Sequence, residues 1–289
     1  MALISMSKPS LIPIIFPDGS QNKLSLNLLA KTGPVFLVLP ALGMRASYYQ
    51  PLQEALGQAG LSSVLVDWRG HGHSSLRPNR REDWGYEQLV LDTQFVLETI
   101  AKLAPNRPLI IIGHSLGGQI GSLVAARFGS VKAIALVASC LVDYRGWTDA
   151  TRFWIQLAAR IFYPCSLVVG HFPGPWFRFG GHEARTVMYD WSSNGLTGLY
   201  RLKGSSFDYE AALAQASIPV LGITIEGDHL APPKAMQGLL NKYGDKQLHT
   251  YHHIPAQIAD EPGIDHFRWA RYPKRVVAKI KTWLTKTGY

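Results

Sequence analysis

Short unbroken apolar runs alternate along the chain with longer stretches whose apolar residues recur at helical spacing. Val35-Phe36-Leu37-Val38-Leu39, Ser63-Val64-Leu65-Val66-Asp67, Leu109-Ile110-Ile111-Ile112, Ala133-Ile134-Ala135-Leu136-Val137 and Val220-Leu221-Gly222-Ile223-Thr224-Ile225 read as strands covered on both faces. The stretch with Tyr49, Leu52, Leu56 and Ala59 reads as a helix between the first two runs, and Gln247 to Ile254 as a weaker, more alternating strand. After Asp265, the residues Val276, Val277, Ile280, Trp283 and Leu284 mark a final helix with one buried stripe and a face of lysine and arginine. Strands followed by crossover helices predict an α/β fold, with a mostly parallel central sheet and helices on both faces.

This rhythm breaks between Val142 and Phe207, where Trp147, Trp154, Pro164, Pro173-Gly174-Pro175-Trp176, Gly180-Gly181 and Trp191 crowd together. Because sheet strands flank it, this segment reads as an inserted, largely helical cap over residues 142–207, dividing a core made of 1–141 and 208–289. An apolar content of 47 % and eight tryptophans exclude a disordered or repetitive chain. The net charge of +9 points to anions without identifying one. No nucleic-acid module accompanies it, so the basic last helix is expected to be a solvated face, with weak membrane-surface contact as the alternative. The residues from Met1 to Pro9 lack the pattern of a secretory leader. Cys140 and Cys165 stand in no metal-ligand or CxxC spacing, and the cytoplasm is the expected compartment.

The strongest chemical signal is Gly113-His114-Ser115-Leu116-Gly117, set between the run Leu109 to Ile112 and a helical pattern from Gly118 to Arg127. In so sharp a strand-to-helix turn, glycines two positions either side of the serine remove clashes and let its hydroxyl project. The free amides at the helix start favour negative charge beside it. On this motif the chain resembles the α/β-hydrolase superfamily, in its serine hydrolase, esterase-like branch. Asp67-Trp68-Arg69-Gly70-His71-Gly72-His73-Ser74 is similar to a chiefly structural stretch that follows the fourth strand in that family. The Asp190-Trp191 region and the Gly180-Gly181-His182 turn are similar to the cap of a bacterial group of predicted hydrolases.

The resemblance implies Ser115 as nucleophile, with the acid and the histidine following in that order. Asp228, in Glu226-Gly227-Asp228-His229, is similar to the family's acid loop after a strand; Glu226 is the reserve. His266 lies after the last strand and before the final helix, where the family carries its base; His229, His252 and His253 fit that place less well. The backbone N–H groups of Leu116 and Leu42 are the expected oxyanion donors, the latter in Pro40-Ala41-Leu42-Gly43, which replaces the family's frequent His-Gly pair. The implied reaction is hydrolysis of a small-molecule ester with an apolar acyl or aryl group, with no metal or organic cofactor. Thioester hydrolysis, lipase action and carbon-carbon bond hydrolysis would use the same residues. A non-catalytic binding protein on this fold is the contrasting class.

Overall fold

The computed structural model describes residues 9–29 and 32–289; the N-terminal stretch read for a leader lies, through Lys8, outside them. Eight strands form one sheet in the order β1-β2-β4-β3-β5-β6-β9-β10. They are β1 (Ser10–Ile15), β2 (Gln21–Asn27), β3 (Val35–Leu39), β4 (Ser62–Val66), β5 (Leu109–His114), β6 (Val131–Val137), β9 (Val220–Ile225) and β10 (His249–Ile254). From β4 to β10 all neighbours are parallel, whereas β1 and β2 form an antiparallel hairpin joined antiparallel to β4. That hairpin escapes the apolar pattern because its strands are half exposed and β1 carries Pro13, which an edge strand tolerates.

The alternation of side chains divides the core in two. Val35, Leu37 and Leu39 of β3 and Leu109 and Ile111 of β5 face one cluster, and Phe36, Val38, Ile110 and Ile112 face the other. The first face is covered by α2 (Tyr86–Leu103), α3 (Leu116–Arg127), α7 (Tyr209–Gln215) and α8 (Pro233–Leu240). The second is covered by α1 (Gln50–Gln58) and α9 (Lys274–Thr287), whose Val276, Val277, Ile280, Trp283 and Leu284 are all buried as their spacing predicts. The chain passes from β3 to β4 on one side and returns to β5 on the other, so the carboxyl ends of β3 and β5 flank a switch point where open α/β sheets bind ligands.

Between β6 and α7 lie α4 (Asp149–Val169), a two-stranded ribbon of β7 (Phe172–Pro173) and β8 (His182–Glu183) enclosing the short α5 (Gly174–Phe177), and α6 (Arg185–Thr197). An aromatic knot holds this insert together: the Phe162 ring lies 4.7 Å from Phe172, 5.1 Å from Phe177, 5.3 Å from Phe179 and 5.5 Å from Trp191. Among the described residues no helix is long and apolar enough to cross a membrane. Cys140 and Cys165 are both free thiols.

The loop after β4 is a structural hub. Asp67 accepts the amides of Ala46 (2.7 Å) and His73 (2.9 Å), and Arg69 grips Asp92 of α2 through two hydrogen bonds of 2.8 Å while also reaching Asp18 in the first hairpin. A Cβ at Gly72 would stand 2.1 Å from the Asp67 carboxylate, so this turn closes only around glycine.

Candidate active site

β5 ends at His114 and α3 begins at Leu116, leaving Ser115 alone to turn the chain. It does so at φ 52° and ψ −114°, a conformation that side chains other than glycine avoid and that the surroundings must enforce. Its amide donates to Val137 O (3.3 Å), and its carbonyl accepts from Gly118 N (3.0 Å) and Ser139 Oγ (2.7 Å). The motif glycines leave no alternative: a Cβ at Gly113 would lie 2.4 Å from the Gly118 Cα, and one at Gly117 would lie 2.1 Å from Leu39 O.

Asp228 follows β9 in a turn that points its carboxylate inward. One oxygen accepts the amides of Leu230 (2.9 Å) and Ala231 (3.1 Å), and the two oxygens lie 3.1 and 2.9 Å from His266 Nδ1. The Asp228 side chain is 0 % exposed and that of His266 8 %. An ionised carboxylate only accepts, so Nδ1 must donate and Nε2 of the neutral ring becomes the free acceptor. Glu226, the reserve acid, instead accepts the amide of Ala256.

Ser115, His266, Leu42 and Leu116 all line one cavity of about 120 Å³, with Asp228 behind His266. Apolar side chains make most of its wall, including Trp147, Ile155, Phe179, Trp191 and Phe267, and the exposed Arg178 stands among its lining residues. His229, His252 and His253 are not among them. Neither Leu42 nor Leu116 uses its N–H in a hydrogen bond among the described residues, so both donors remain available at the cavity. Cys140 also lines the cavity, but burial pushes its thiol well above the ordinary value, which leaves it a poor nucleophile.

Two residues that the sequence did not single out tie this site together. The Tyr49 hydroxyl accepts the amide of Ala41 (2.9 Å) and lies 2.6 Å from His114 Nδ1. Its one proton therefore goes to Nδ1, and the neutral His114 carries its own on Nε2. Burial drives the His114 pKa well below its usual value, and the nearby His266 pushes the same way. The His114 ring packs 5.0 Å from His266 and 5.2 Å from Trp269. The only signal for it was its place beside Ser115; Tyr49 read as one apolar position of a helix.

The insert meets the core at the same loop. A Cβ on Gly43, which has φ +76°, would lie 2.3 Å from Gly181 N, so the ribbon rests backbone against backbone on the segment that carries Leu42. Beside this contact His71 Nε2 lies 3.0 Å from Glu183 Oε2, while Glu183 Oε1 accepts the amide of Gly181 at 2.7 Å.

A family model described as serine aminopeptidase, S33, matches residues 31–172. Among curated proteins, the monoacylglycerol lipase of Mycolicibacterium smegmatis is 32 % identical over 108 residues, covering 36 % of this chain and 38 % of the lipase, so the matched segment spans well under half of that relative. The putative carbamate hydrolase RutD of Cronobacter turicensis is 25 % identical over 71 % of this chain and 78 % of its own length. Among solved structures, a soluble variant of monoglyceride lipase from Saccharomyces cerevisiae superposes with a TM-score of 0.68 at 16 % identity, covering 99 % of this chain and 97 % of that one.

Proposed function

We propose that the protein, whose fold is that of the α/β-hydrolases, hydrolyses carboxylic esters through an acyl-enzyme on Ser115. The observation that carries this reading is the meeting, at one cavity, of a strained serine, a histidine oriented by a buried aspartate, and two unused backbone donors.

In this reading the Ser115 hydroxyl attacks the ester carbonyl while His266 Nε2 takes its proton. The tetrahedral oxyanion is held by the N–H groups of Leu42 and Leu116, the latter at the start of α3 where the helix dipole favours negative charge. Asp228 stabilises the imidazolium that forms. The intermediate collapses, the ester bond breaks, and His266 passes the proton to the departing alkoxide. Water then attacks the acyl-enzyme by the same route, releasing the acid and restoring Ser115. Residues 142–207 act as the cap, and the wall of Trp147, Trp191, Phe179 and Ile155 supports an apolar acyl or aryl group.

Labelling with a fluorophosphonate probe tests this directly. Wild type should be modified at Ser115, as read by mass spectrometry, and Ser115→Ala should not. A folded wild type that resists the probe and hydrolyses no member of a panel of matched oxygen esters and thioesters would favour a binding protein.

A further inference from the structure

Both sides of α4 are apolar. Its inner side packs Ala159 and Phe162 into the insert and puts Ile155 on the cavity. Its outer side carries Trp154, Ile161 and Val168, which are 62, 42 and 74 % exposed. A spacing of one heptad drifts by only ~20° around a helix, so these three form a stripe, flanked by the exposed Phe153 and Leu167. At about 1.5 Å per residue the stripe is about 20 Å long, more than the scattered single apolar residues of an ordinary surface.

The charge along this helix is mainly positive: Arg152 and Arg160 are exposed, its one acidic residue is Asp149 at the start, and none follows from Ala150 through His182. We infer that this face of α4 docks on an anionic lipid bilayer, with the helix lying in the interface and its arginines on the headgroups. Tryptophan and phenylalanine suit that depth, because their rings are apolar at one end and tolerate water at the other. A second copy of the chain fits less well, because a two-fold contact along this helix would bring the exposed arginines of both copies into one interface. The basic α9 differs in kind, since its apolar stripe is already spent on the core. The docking face is independent of the reading of Ser115, because Trp154, Ile161 and Val168 do not line the cavity.

The test is flotation of the full chain with phosphatidylcholine vesicles, with and without phosphatidylglycerol. Wild type should float with the anionic vesicles and be released by salt. Trp154→Ser, Ile161→Ser and Val168→Ser combined should weaken binding by about tenfold or more at an unchanged melting temperature, as should Arg152→Gln with Arg160→Gln. Brominated lipid should quench wild-type fluorescence more than that of Trp154→Phe. Hydrolysis of a short soluble ester by the triple variant should match wild type, which separates loss of docking from loss of catalysis. Three results would overturn the proposal: wild type left in solution with anionic vesicles at low salt; binding abolished by Lys279→Gln, Lys281→Gln and Lys286→Gln but kept by the triple variant; or a wild-type dimer that the triple variant dissolves.

Discussion

His71 and Glu183 form an ion pair of 3.0 Å that joins the loop after β4 to the ribbon of the insert, with both side chains nearly withdrawn from solvent. Burial opposes charge on the imidazole, but the charge and hydrogen bond of Glu183 outweigh it, helped by Asp67 and resisted by Arg77. The ring is held above its ordinary 6.5.

Because the folded value lies above the unfolded one, this pair stabilises fully below pH 6.5 and the contribution is lost as pH rises through the folded value. Glu183→Gln, which can still accept the Gly181 amide, should cost about 2 kcal/mol in mild acid and progressively less at alkaline pH. Denaturant midpoints of the two proteins across a pH series measure the gap. A gap independent of pH would mean that the two groups do not exchange charge for stability.

Asp190 is a second attachment of the insert. Its buried carboxyl accepts the amides of Tyr86, the first residue of α2, and Lys203, each at 2.8 Å. Burial pushes its pKa up to about 7, against the opposing effect of those two bonds. A folded value raised above 3.8 gives a contribution that is complete at acid pH and lost by neutrality, worth up to about 4 kcal/mol. Asp190→Asn should flatten that part of the stability profile, in thermal melts read between acid and neutral pH. The two attachments share a sign, so the insert is held most firmly in mild acid.

The sequence disclosed what depends on local pattern. The central strands are legible because both faces are buried, and Ser115 because its turn demands Gly113 and Gly117. The first hairpin is not, since its exposure blurs alternation, and α4 runs helical through Pro164, a residue that usually ends a helix. Asp228 and His266, placed by their likeness to a family pattern, do meet in space. The Tyr49 and His114 pair does not show in the sequence because its members lie far apart along the chain and look like ordinary core residues.

That pair suggests a positioning role. Tyr49→Phe removes the acceptor of the Ala41 amide, one residue before the Leu42 donor. It should lower kcat by about tenfold with little change in KM, and cost about 1 kcal/mol of stability. Equal losses in kcat and in the folded fraction would reduce it to a structural bond.

Asp228→Asn would offer His266 an amide in place of a carboxylate acceptor and release the wrong tautomer. Hydrolysis should fall by about three to four orders of magnitude in kcat, with a modest fall in melting temperature. Activity close to wild type would assign the orienting role elsewhere.

The contact of Gly43 with Gly181 also sets the terms on which this architecture can be re-engineered. No side chain separates the two backbones, so no repacking can absorb a change of fit between them. A foreign insert grafted between β6 and α7 would need its own glycine turn at that height above the sheet, or it would displace the strand end that carries Leu42. The insert is therefore not an interchangeable module: to exchange it is to rebuild the floor on which the substrate carbonyl would rest.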